Sequence, residues 1–366
     1  MVKSWDIWDF PNNFYVLLKK DTHNKFFNEM FNEYGGKRPY ARLLGIQQGW
    51  MKHYWRRYFK KNGKRYVQYT PLWVFKWSCN TNHLKELIEK GIDKIRVRAG
   101  TPLNYNQLKL PIKECPELYR IVAHLIGDGF AGKRKVPYYA NTCKELRQQF
   151  KKDIQIFGKI KTYERTPNTT PCVMFPKLIS DILKYIFNIE FTRPTKLPKD
   201  IFNASKECKS AFLQALYDDE GTSINLALAM SNRKLVYQIK RLLKDINIKT
   251  TKIYNSTNKK MFILKINPKY YSSFKKEVNF LHPNKIKNLE FALKTIERNK
   301  IQRTRPLDWT RREIITKLQL KPRTSLEMAN KLSLTIGGLY HHLKFLESEG
   351  IIKRGGYKNK IIWTIF

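Results

Sequence analysis

Along the 366-residue chain, apolar positions recur at helical spacing in some stretches and at strand spacing in others. Residues 1–23, with Trp5, Trp8, Phe10, Phe14 and Tyr15 around Pro11, predict an extended lead-in. Phe26, Phe27, Met30 and Phe31 then predict a helix from Asn24 that stops at Gly35-Gly36. A short helix over 39–44 ends at Gly45, and a third runs from about Gln47 through Trp50, Tyr54 and Trp55. Short helix, glycine turn and longer helix together make a helix-turn-helix rhythm. The aromatic stretch 71–78 predicts a strand, and 83–90 a helix closed by Gly91. A boundary near Leu103 separates this region, 1–103, from the rest of the chain.

Two stretches then repeat one another. Pro116 to Gly129 and Ser210 to Gly221 each predict a mostly apolar helix that runs into a carboxylate and a glycine. A helix ending at glycine is common, so one copy means little. Two copies, with Asp128 and Glu220 92 residues apart, mean more because their sequels also match. Each is followed by a strand-like run (138–141 and 226–230) and a helix (144–154 and 234–246). Two further strand-like runs and another helix follow, from Lys177 in the first copy and Lys269 in the second. The order predicts two similar half-domains, about 104–192 and 193–299, joined by the proline-punctuated stretch 192–198. Ala123 and Ala215 occupy the same place in both copies, where small side chains would let the two helices approach closely. Two acids at the ends of such a helix pair could hold a divalent metal.

The stretches 121–129 and 213–221 resemble the two signature helices of single-chain LAGLIDADG homing endonucleases, with an acid at the eighth motif position both times. The first copy departs at position six, where Ile126 replaces an acid, and is more similar to the Ile-Gly-Asp-Gly form of intein-type members. No splicing-domain residues flank the core, so an intein is not indicated. The resemblance covers about Pro116 to Asn299. It implies an α+β fold, a pseudo-two-fold pair of αββαββα half-domains whose sheets read the DNA major groove. It also implies a Mg²⁺-dependent, site-specific double-strand endonuclease acting as a monomer, with Asp128 and Glu220 as metal ligands. Family members often place a lysine near each scissile phosphate. The matching candidates are Lys285, 65 residues after Glu220, and Lys196, 68 residues after Asp128. Asp219 takes the place of Gly127 in the first copy and is expected to be an exposed helix-end charge. His124 is expected to be a packed or hydrogen-bonded residue rather than a catalyst.

Charge strengthens the case for a polyanionic partner. Lys and Arg number 71 against 30 Asp and Glu, a formal charge of +41. No apolar run is long enough to span a membrane and no signal-peptide pattern precedes the charged N-terminus, which points to the cytoplasm and to DNA instead. The five cysteines are scattered, with no C-x-x-C pair, so neither a zinc ribbon nor a disulfide framework is indicated. Lys52, Arg56, Arg57, Lys60 and Lys61 lie among aromatics with no acid between Met51 and Tyr66, and are candidates for DNA contact.

After a linker at 300–308, residues 309–366 resemble a winged helix of transcription regulators. A first helix is expected over 311–318, and Thr324-Ser325-Leu326-Glu327 carries a capping-box pattern opening the second. Thr335 starts a third helix with Ile336, Leu339, Leu343 and Leu346 on one face, and two strands are expected around Gly355-Gly356. Tyr340, Lys344, Lys353 and Arg354 are its candidate DNA contacts, while His341-His342 faces phosphate or core rather than metal. Two other functions fit the same residues: a DNA-binding regulator that kept the scaffold without cutting, and an RNA maturase.

Overall fold

The computed structural model describes residues 3–46, 60–61, 64–65, 69–97, 103–104, 107–132, 135–166, 169–256, 260–301, 307–357 and 360–366. It is a mixed α+β structure of many helices and small antiparallel sheets, in two compact units, Met1–Asp219 and Glu220–Phe366.

In the first unit the chain opens with a four-stranded antiparallel sheet. Its order is Thr70–Pro71, Phe14–Leu18, Ile92–Val97 and Leu103–Asn104. Phe14–Leu18, expected as part of a lead-in, is a strand buried at every position but Tyr15, and it pairs with Ile92–Val97. The stretch expected as a strand over 71–78 is instead the helix Leu72–Ser78. Leu72, Phe75 and Ser78, at helical spacing, form its buried face, and the Phe75 ring packs on Phe26 at 5.2 Å. Packing against the helix Lys20–Glu33 thus outweighs the strand preference of the aromatics. Tyr40 and Ser78 share a buried hydrogen bond that ties in the helix Lys37–Leu43. The expected third helix, with Lys52, Arg56 and Arg57, lies outside the described residues. Lys60–Lys61 pairs with Lys64–Arg65 as a two-stranded ribbon.

The first repeat follows in the same unit. Its elements are helix Pro116–Ile126, strands Gly129–Phe130 and Tyr138–Ala140, helix Lys144–Asp153, strands Tyr163–Arg165 and Cys172–Met174, and helix Lys177–Phe187. The second repeat has helix Lys206–Glu220, strands Gly221–Thr222 and Ala227–Met230, helix Arg233–Asp245, strands Tyr254–Asn255 and Phe262–Lys265, and helix Tyr271–Glu277. Both sheets are antiparallel and their strands are ordered alike: third, fourth, second, first. The αββαββα order expected from the sequence is present twice. The registers define equivalence residue by residue: Gly129 lies opposite Tyr139, and Gly221 opposite Leu228.

The second unit continues into the helix Pro283–Ile301. Beyond it, helices Leu307–Leu320, Ser325–Leu332 and Ile336–Ser348 pack with a three-stranded sheet of Arg323–Thr324, Lys360–Ile365 and Ile352–Tyr357. Their core is Ile314, Leu318, Met328, Leu339, Leu343, Leu346, Ile352 and Trp363. The capping box forms as expected: Thr324 Oγ1 accepts from Glu327 N at 3.2 Å, and Thr324 N donates to Glu327 Oε2 at 2.9 Å. Gly355 and Gly356 sit inside a strand rather than between two, and the short strand Arg323–Thr324 had no sequence signal of its own.

Candidate functional site

The helix Pro116–Ile126 is buried from Leu118 to Ile126 except at Arg120, so its polar side chains need partners inside the protein. Arg120 finds one in Asp153, with Nε 2.8 Å and Nη2 3.0 Å from the two carboxylate oxygens, which ties this helix to Lys144–Asp153. The helix ends at Gly127, and the chain turns back so tightly that a Cβ on Gly129 would lie 2.4 Å from Leu125 Cα. Only glycine fits there, and this is the physical reason it follows Asp128. The turn leaves Asp128 exposed at the junction of helix and strand.

At Gly127 the chain meets the end of the second signature helix, Lys206–Glu220: a Cβ on Gly127 would lie 2.9 Å from Asp219 Cβ. The expected exposed helix-end charge at Asp219 is therefore corrected. Its side chain has 0% exposure and accepts three hydrogen bonds. Tyr139 Oη donates to Oδ1 at 2.7 Å, His124 Nδ1 lies 2.9 Å from Oδ2, and Asn141 Nδ2 lies 3.2 Å from Oδ1. A carboxylate only accepts, so the proton sits on His124 Nδ1. Burial alone lowers the His124 pKa, but the Asp219 charge and hydrogen bond overcome this and raise it. Burial, then the same carboxylate, pushes the Tyr139 phenol far up, so it stays a donor. His124 is thus a hydrogen-bonded core residue, 1% exposed, as the sequence suggested.

Asn141 joins this buried network to Asp128. Its Nδ2 also donates to Asp128 Oδ2 at 3.1 Å, while its Oδ1 accepts from Cys143 N at 2.9 Å. That backbone bond fixes which end of the amide faces the carboxylates. Nothing in the period or composition marked Tyr139 and Asn141 out. The signal that finds them is the mismatch between copies. His124, Tyr139 and Asn141 match Leu216, Leu228 and Met230 in the second repeat, and Asp219 matches Gly127 in the first.

Glu220, half-buried, closes the second signature helix. In the second unit Lys285 Nζ donates to Gly221 O at 2.6 Å, which places the ammonium one residue past this acid. Lys196 has no comparable bond among the described residues; it is half-buried in the connection between the repeats. Among the described residues, no group of three or more His, Cys, Asp and Glu side chains forms a metal cluster. The two acids are hard oxygen donors, and His124 is already committed to Asp219, so the donors suit a hard divalent ion and not a zinc-type site.

Each repeat sheet turns an exposed edge strand outward. Tyr163 is 63% and Tyr254 39% exposed, with Arg165 exposed on the same strand as Tyr163 and Lys252 exposed two residues before Tyr254. In the C-terminal module Tyr340, Lys344, Lys353 and Arg354 are all exposed. Glu347 partly neutralises this surface, lying 2.7 Å from Lys344 Nζ and 3.2 Å from Arg354 Nε. His341 is exposed and His342 buried; burial, then the nearby Arg311, lowers the His342 pKa.

Comparisons with known proteins concern both parts. Residues 308–354 match the family model described as bacterial regulatory protein, arsR family, a helix-turn-helix model. No curated protein matches the chain. Among solved structures, the chain is similar to I-DmoI in complex with DNA and Mn at 15% identity and a TM-score of 0.36, over 45% of this chain and 96% of that one. It is similar to the homing endonuclease I-WcaI bound to its DNA recognition sequence at 17% identity and 0.34, over 48% and 85%. Full-length DUF199/WhiA from Thermatoga maritima matches at 14% identity and 0.34, over 64% of this chain and 90% of that one. Among the described residues no helix is long and apolar enough to cross a membrane.

Proposed function

We propose that the chain is a metal-dependent, double-strand DNA endonuclease built on a duplicated αββαββα unit. The observation that carries this is the pair of acids. Asp128 and Glu220 occupy the same helix-to-strand junction in two repeats of identical strand order, within a chain of formal charge +41. Asp128 and Glu220 would hold divalent metal, which when bound supplies Lewis-acid stabilisation of phosphate oxygens and a more acidic water. The protein's own part is positional and electrostatic. Asp128 presents its carboxylate at an exposed junction, with Asn141 donating to one oxygen. Lys285, beside Gly221, brings a positive charge that can donate to a phosphate oxygen or orient water at the Glu220 side. Lys196 has the corresponding role on the Asp128 side. The exposed tyrosines and cations of each sheet, with Lys52, Arg56, Arg57, Lys60 and Lys61, would take the phosphate backbone and base edges. The C-terminal module, read as a winged helix, adds Tyr340, Lys344, Lys353 and Arg354 to the same duplex.

One observation favours a second function. The arsR-type match at residues 308–354 is a regulator's module, so a sequence-specific DNA-binding protein that does not cut is the alternative.

Asp128→Asn and Glu220→Gln separate the two. Each keeps the size of the side chain and removes the charge that would hold a divalent ion. On a supercoiled plasmid carrying a site recovered from a genomic library, wild type with Mg²⁺ should cut both strands. Either variant should lose at least a hundredfold in rate, about 2.7 kcal/mol or more, while binding the site as tightly as before and melting normally. Full cutting by both variants overturns the assignment of the acids. Specific binding by a wild type that cuts nothing moves the function to the regulator.

A further inference from the structure

Away from the two acids, the second unit holds a cavity of about 450 Å³, inside the range of about 300–1,000 Å³ usual for small-molecule sites. Separate stretches of chain wall it. Phe291, Ala292, Thr295 and Ile296 of the helix Pro283–Ile301 are spaced i, i+1, i+4 and i+5, so one face of that helix lies along the cavity. Ile336 and Tyr340 come from the start of the helix Ile336–Ser348, and Lys265 and Tyr271 from the second repeat. Phe291 and Ile336 also pack on the core of the C-terminal module, which holds these walls in place. We propose that this cavity is a binding site for a small aromatic carboxylate, its ring on the apolar walls and its charged end taken by Tyr271 and Lys265. The site is independent of the nuclease function and uses neither acid.

Two side chains set the chemistry. Tyr271 is only 6% exposed and lines the cavity, yet its hydroxyl has no hydrogen-bond partner among the described residues. A buried tyrosine hydroxyl usually finds a partner, and here the cavity is where one can come from. Burial pushes the phenol up to about 12, so it stays a donor and suits an acceptor on the ligand. Lys265 owes its place to strand alternation: Leu264 and Ile266 are buried, so Lys265 lies on the other face of the sheet, half-buried. Its ammonium lies 5.2 Å from the centre of the Tyr254 ring and pairs with no carboxylate among the described residues. None of the side chains lining the cavity is acidic. A donor without an acceptor and a cation without a counter-ion, set against carbon walls, favour an anion with a flat apolar body.

The test uses the full chain with naphthoate as the probe and naphthylmethylammonium as a cation of similar shape. Calorimetry at raised salt, which screens the surface cations, should show naphthoate binding at a single site and the cation at least about tenfold more weakly. Tyr271→Phe deletes only the hydroxyl and should weaken naphthoate about tenfold, at an unchanged melting temperature. Lys265→Met keeps the aliphatic stem and should bring the two probes to within about threefold of each other. Ala292→Phe and Gly337→Leu narrow the cavity; a Cβ on Gly337 meets nothing within 4 Å, so the added side chain has room. Both should abolish binding while melting no lower than wild type. A wild type that does not bind naphthoate, or binding that survives both narrowing variants, overturns the site. Equal affinity of wild type for the two probes, or no effect of Tyr271→Phe and Lys265→Met, overturns the choice of a carboxylate.

Discussion

Asp219→Ala is the most informative change to stability. Asp219 is the common acceptor for Tyr139, His124 and Asn141, and its own side chain has no exposed surface. Removing it strands two fully buried donors, Tyr139 at 0% and His124 at 1% exposure. Each unsatisfied buried donor costs about 1–3 kcal/mol, while Asn141 keeps Asp128 as an acceptor. The loss of the buried ion pair points the same way, to a total of about 3–5 kcal/mol. A typical domain holds only about 5–15 kcal/mol in all, so the variant should unfold at markedly lower urea. Asp219→Asn keeps an acceptor for Tyr139 and should cost only about 1–2 kcal/mol.

The same pair fixes a pH dependence. The His124 pKa is raised above its ordinary 6.5, so the stabilisation it contributes is complete below that value and fades as pH rises through the folded-state pKa. The gap between wild type and Asp219→Ala should therefore be larger at pH 6 than at pH 9. Urea unfolding of the full chain at both pH values, followed by circular dichroism and aromatic fluorescence, measures it. A cost for Asp219→Ala within about 0.5 kcal/mol, the range of an ordinary surface change, would refute the reasoning. So would a gap that widens towards high pH.

Two further outcomes check the rest of the molecule. Affinity for duplex DNA should fall steeply with salt, its logarithm dropping by about 0.9 per phosphate contacted for each decade of salt; a flat response in filter binding contradicts the basic-surface assignment. Thr324→Ala removes one half of the capping box and should destabilise the C-terminal module by about 1 kcal/mol, read from the urea midpoint of its transition. No shift there would mean that the cap is not formed in solution.

Much of the architecture follows from local sequence alone. The signature helices announce themselves by period. Glycine after each acid marks the turn, and at Gly129 the turn has no room for a Cβ. The capping box at Thr324 to Glu327 is chemistry within four residues, and it forms as the sequence implies. Duplication is likewise visible because two runs of elements carry the same order. These features depend on neighbours in the chain, which a sequence lists directly.

What tertiary structure decided depends on distant partners. The aromatic run from Leu72 to Ser78 has strand preferences, yet it is a helix because Phe75 packs on Phe26. Asp219 looks like one more acid at a helix end, and only the close approach at Gly127 buries it. Its partners His124, Tyr139 and Asn141 lie 95, 80 and 78 residues away in sequence, and no local rule links them. A buried carboxylate is tolerable only where donors surround it, so the fold had to bring those three side chains to one point. The sequence holds the asymmetry between the copies in plain letters. Its meaning, that one acid is held by an amide and the other lies beside a lysine, came from the packing of the helices.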